Sequence, residues 1–117
     1  MIDTASISEA LRSLADDPLF ARIEVLDLTR NLIKARLYLR EDLFIQVYRN
    51  DRSQVTNLLI VLEGQRLFAR DQIRGVWHRH PFGNPAEHDT GLEGQRAVTF
   101  LEFIEEARQL LVEAELL

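Results

Sequence analysis

Every histidine of the chain lies in one stretch, RDQIRGVWHRHPFGNPAEHD (residues 70 to 89), as His78, His80 and His88. Imidazoles titrate near neutrality and carry a lone pair when neutral, so a group of them can move protons or ligate a metal. His78 and His80 are two residues apart, a spacing that on a strand puts both rings on one face and Arg79 on the other. They are expected to project beside Arg70 and Asp71. His88, across the loop from Pro81 to Pro85, either returns to that face or caps the next segment. Asp71 is an orienter of imidazole, a ligand, or only the cap of a turn at Arg74-Gly75. Trp77 is either a core anchor at a sheet edge or a platform on which a base stacks.

Three chemistries are open to these residues. Metal-independent RNA cleavage needs a base for the 2′-hydroxyl, an acid for the 5′-oxygen and a cation for the charge gathering on the phosphate. His78 and His80 would be base and acid, Arg79 or Arg70 the clamp, and Arg74, Trp77 and His88 further contacts to the substrate. A metal-dependent hydrolase would instead use the three histidines with Asp71 or Asp89 as ligands. In a non-enzymatic binding or regulatory domain the histidines would merely pack the loop. A pair H-x-H with one distant third histidine has no strong ligand spacing, so the expectation is no metal and no other cofactor.

Charge is divided along the chain, whose net value is −5. Residues 30 to 80 carry ten positives, nine of them arginine, against five negatives, while both flanks are acidic. The guanidinium fork suits phosphate, so the middle segment is read either as an RNA-binding face or as the solvated face of a sheet. Tyr38 and Tyr48 fall on that face and would either stack on bases or stay solvated.

The elements that must hold these residues follow from hydrophobic period. SISEALRSLADD carries Ile7, Ala10, Leu11, Leu14 and Ala15 at helical spacing behind a serine cap, and Pro18 ends it. From Phe20 the period falls to two. ARIEVLDL, LIKARLYL, LFIQVYRN, VTNLLIVLE and QRLFARDQI are strands joined by short polar turns, and a sixth resumes after Gly75. Such short connections require antiparallel pairing. TFLEFIEEARQLLVEAELL returns to helical spacing, with Thr99 as cap and Glu102 three residues on. Its glutamates read as a solvated face, and its apolar end, Leu110 to Val112 with Leu116 and Leu117, as a surface for a second copy or another partner. The predicted architecture is α+β: an antiparallel meander of about five to six strands with an N-terminal and a C-terminal helix packed on one face, one domain over residues 1–117.

The order Arg70-Asp71, then Trp77-His78-Arg79-His80-Pro81-Phe82, then Pro85 and His88, after FIQVYRN and NLLIVLEGQRLFARD and before TFLEF, resembles the TumE-type toxin components of bacterial and archaeal toxin–antitoxin systems. The likeness spans about residues 20 to 112 and is specific in the histidine segment; Gln72 stands where relatives often have asparagine. It implies a compact α+β fold and a toxin role more firmly than a reaction. With the residues above, it gives the expected function: a toxin acting on RNA as a small metal-independent endoribonuclease, restrained by a cognate antitoxin, for instance of helix-turn-helix type. Zero cysteines exclude disulfides and thiolate sites. No apolar run is long enough for a membrane helix, and no basic stretch precedes an apolar core at the start, so a cytoplasmic location is expected.

Overall fold

The computed structural model describes residues 2–84 and 86–117. The period-two segments form β1 (Arg22–Leu28), β2 (Leu32–Arg40), β3 (Leu43–Asn50), β4 (Val55–Leu62), β5 (Gln65–Ile73) and β6 (Val76–His80). They pair antiparallel in chain order as one six-stranded meander. Helices α1 (Thr4–Leu14) and α2 (Phe100–Glu113) cover one face, which completes the α+β architecture expected from the sequence. No helix among the described residues is long and apolar enough to cross a membrane.

Capping sets the helix ends. Thr99 accepts from the Glu102 amide while the Glu102 carboxylate takes the Thr99 N–H, the box legible in the sequence. At α1 the cap is Asp3, with Ser6 as its reciprocal partner, so the helix starts earlier than a serine cap would place it. It also ends at Leu14, four residues short of Pro18. Asp51, from the turn after β3, accepts the Thr4 N–H and ties α1 to the sheet.

Each strand alternates between two faces, and the register assembles cross-strand rows. Ala35, Val47, Leu58, Arg70 and Arg79 form one row toward the helices. Ile33, Leu37, Ile45, Ile60 and Phe68 lie on the same side, packed under Ile7, Leu11 and Leu14 of α1 and Phe103, Ala107 and Leu111 of α2. The Phe68 and Phe103 rings stack at 5.9 Å. The apolar end of α2 is thus largely spent on the core: Leu111 is buried and Leu110 and Leu116 pack against it, while Val112 and Leu117 stay exposed.

Among the described residues the opposite face carries no helix. Two of its rows run Arg36–Gln46–Leu59–Ala69–His80 and Lys34–Tyr48–Asn57–Asp71–His78. The β5–β6 hairpin that ends both rows turns on Arg74 and Gly75, at φ 52° and 82°. Two consecutive left-handed residues make the tight turn whose twist matches paired strands.

Candidate active site on the open sheet face

β5 and β6 deliver three of the four central groups. Asp71 and His78 are register partners, and His80 follows two residues on, opposite Ala69. The fourth comes from a short return of the chain. Arg79 and Asp89 form an antiparallel bridge, the Arg79 N–H donating to the Asp89 carbonyl at 3.1 Å and the Asp89 N–H to the Arg79 carbonyl at 2.7 Å. That register sets residue 88 opposite residue 80, and the Asp89 carboxylate takes the Arg79 guanidinium on the helix side. His88 is therefore turned to the open face. The loop before it is anchored by the Gly83 N–H on the Leu67 carbonyl and by Asn84 donating to Glu87, whereas Pro85 lies outside the described residues.

The rings meet edge to face, with centroids 4.5 Å apart for His80 and His88, 5.2 Å for His78 and His80, and 5.3 Å for His78 and His88. One nitrogen from each lies within 4.8 Å of the others. Asp71 Oδ2 sits 3.2 Å from His80 Nε2 and 3.5 Å from His78 Nε2. His80 is buried, His78 half-buried and His88 exposed, so access is from the His78 and His88 side. Burial pushes the Asp71 carboxyl above its ordinary pKa, against the pull of His80, His78 and Arg66. Burial also pulls His78 below the usual imidazole value; Asp71 opposes this, while the neighbouring His80, His88 and Arg66 add to it.

This geometry corrects the placement expected for Arg70 and decides the readings left open for Arg79, Trp77 and Arg74. Arg70 does not stand beside Asp71, because adjacent strand residues face opposite ways. It is wholly buried under α2, donating from Nε and Nη2 to Glu106 at 2.6 and 2.8 Å and from Nη1 and Nη2 to Glu93 at 2.9 and 2.8 Å. Arg79, its register partner, is likewise turned away and held by Asp89. Neither clamps a phosphate at the histidines. Trp77 belongs to the core beneath the helices, opposite in face to His78, and offers no stacking platform. Arg74 sits at the hairpin tip, four residues and roughly 13 Å of strand from His78.

The charge division likewise does not become one cationic face. Arg40, Arg49, Arg70 and Arg79 are each paired with a carboxylate. On the open face Arg36 and Lys34 oppose Glu24 and Asp27 of β1. Tyr38 is buried against Phe44 at 5.0 Å with the Arg22 guanidinium 3.8 Å over its ring, so it stacks within the protein. Glu106, read as part of a solvated helix face, is the main partner of Arg70.

Nothing in the residue pattern singled out Arg66, whose charge acts on both Asp71 and His78. It lines a groove of about 570 Å³ with Leu59, Val61, Gln65 and Ala86, on the side from which the loop carries the chain to His88. A bulge between Ile60 and Val61, which shifts the β4–β5 register, brings Arg66 opposite Val61, and period-two reasoning cannot anticipate such a shift. In comparisons with known proteins no family model matches this chain, and no curated protein or solved structure does so either.

Proposed function

We propose that the protein is an RNA-cleaving enzyme of the toxin type, working at the open-face cluster of His78, His80, His88 and Asp71. The observation that carries the reading is the convergence itself: three imidazoles and a half-buried carboxylate gathered from β5, β6 and a returning loop on the sheet face that no helix covers. A packing role for the loop would be served by apolar side chains, whereas this arrangement holds titratable groups together against their mutual repulsion.

Cleavage of an RNA phosphodiester forms a bond from the 2′-oxygen or a water oxygen to phosphorus and breaks the bond to the 5′-oxygen. The attacking oxygen loses a proton and the leaving oxygen gains one. Negative charge on the phosphoryl oxygens needs a cation. On this face the side chains open to a substrate are His78 and His88, with His80 and Asp71 behind them. Arg66 and its groove adjoin the cluster, and the row through Asn57 and Tyr48 to Lys34 gives polar contacts along which a single strand would lie. The toxin assignment itself rests on the likeness of the histidine segment to TumE-type toxins, and the partner it implies is a cognate antitoxin.

Induced expression without a neighbouring antitoxin tests this, with total RNA followed on gels. The parent should arrest growth and degrade RNA. His88→Ala, a change at an exposed position, should remove most of both effects while far-ultraviolet circular dichroism stays unchanged. A folded His88→Ala, His78→Ala double variant as toxic as the parent would sink the reading.

A further inference from the structure

We propose that His78, His80 and His88 together hold one divalent transition-metal ion of the zinc class, with Asp71 behind them orienting the His78 and His80 rings. The inference deepens the reading above by naming the cation that works at the cluster. Tetrahedral metal–ligand distances of about 2.0–2.1 Å put neighbouring ligand atoms about 3.3–3.4 Å apart. Asp71 Oδ2, 3.2 Å from His80 Nε2 and 3.5 Å from His78 Nε2, holds those two rings in place from behind. The three histidine nitrogens, within 4.8 Å of one another, need to close by little more than an ångström at most. His88 can supply that movement: it is exposed and comes from a loop, while its backbone neighbour Asp89 is pinned to Arg79.

The donor set selects the class of ion. Three imidazoles, with no cysteine in the chain, suit Zn²⁺ and its first-row neighbours, whereas Mg²⁺ and Ca²⁺ require mostly oxygen. Of the two aspartates flanking the histidines, Asp71 is the one that touches the rings, since Asp89 is turned to the helix side and engaged by Arg79. The site also brings charge to the cluster that Arg70 and Arg79 do not. Arg70 is committed beneath α2 and Arg79 is engaged by Asp89 on the other side of the sheet, so a bound dication would join Arg66 in supplying the charge that a cleaving phosphate needs.

The test uses the whole chain, stripped with a chelator and dialysed, then titrated calorimetrically with Zn²⁺ alone. One equivalent should bind, Mg²⁺ in excess should not compete, and Co²⁺ in place of Zn²⁺ should give the visible absorption of a low-coordinate site. His88→Ala should weaken Zn²⁺ binding by more than about 100-fold and Asp71→Asn by at least about 10-fold, since even the partners behind metal ligands are worth about 10- to 100-fold. Equal Zn²⁺ uptake by the parent and by folded His88→Ala, or none by either, overturns the site. One equivalent of Zn²⁺ in a parent that neither arrests growth nor degrades RNA leaves the metal site standing and removes the RNA reading. Toxicity lost in His88→Ala without Zn²⁺ uptake by the parent does the reverse.

Discussion

Replacing Arg70 separates the two roles this arginine was open to. In the structure it is a buried ion-pair partner, with no exposed surface and two donors on the Glu106 carboxylate, whose own side chain is mostly covered. Removing one member of such a pair leaves an uncompensated charge, which typically costs about 3–5 kcal/mol when both members are buried. Glu106 keeps some contact with water and with Arg96, at 3.7 Å, so Arg70→Ala should fall lower, about 2–4 kcal/mol. At about 4 °C per kcal/mol for a domain of this size, the melting temperature should drop by roughly 8–16 °C. Arg70→Met combined with Glu106→Leu should recover most of that, because apolar replacement of a buried pair is often neutral or better. Thermal unfolding followed by circular dichroism reads both. RNA cleavage measured well below the transition should change little in the double variant. If Arg70→Ala melts like the parent yet loses cleavage, the guanidinium acts at the site and the facing inferred from the β5–β6 register is wrong.

Trp77→Ala should act through the core, costing about 3–5 kcal/mol, with RNA affinity per folded molecule unchanged when denaturation and binding are measured together. Asp89→Ala should remove the ion pair that steadies the bridge seating His88: cleavage should fall at least about tenfold, whereas stability drops by about 1 kcal/mol or less, as judged from urea midpoints. For Asp51, burial opposes the charge, but hydrogen bonds from Arg49 and the Thr4 backbone outweigh it and lower the pKa. A depressed carboxylate contributes stability that is present above its unfolded pKa and lost as pH falls through the folded one, so Asp51→Asn should flatten the acid side of the stability profile. An unchanged acid slope would show that the α1 tether carries no net charge stabilisation.

The meander, both helices and their place on one face were legible because short polar turns and clean periods of two and 3.6 leave little else to choose. The pairing of His78 with His80 was legible for the same reason. What escaped was everything set by partners distant in sequence. Arg70 looked like a clamp because its neighbour Asp71 faces the site; only the alternation of β5, carried through, sends it under α2 to Glu106. Glu106 itself sits on a helix rich in glutamate, and nothing local distinguishes it from Glu105, which pairs with Arg108 one turn on.

The position of His88 shows most plainly why sequence spacing misjudged the cluster. Counted along the chain, it lies eight residues from His80, too far and too irregular for a ligand pattern. Counted across the sheet, it is the residue opposite His80, because a single bridge at Arg79 and Asp89 continues the meander for one more pair. That bridge uses two backbone hydrogen bonds and an ion pair on the covered face to determine what is displayed on the open one. The two faces are thus coupled at this edge: the arginine expected to bind substrate instead fixes the strand return that brings the third imidazole to the site. Arg79→Ala should for that reason resemble His88→Ala in Zn²⁺ affinity and in RNA cleavage, while leaving all three proposed ligands in the chain. A variant that loses Arg79 but keeps parental affinity for Zn²⁺ would refute the coupling, and Arg79→Lys, which retains the charge and the backbone bridge, should restore much of what alanine removes.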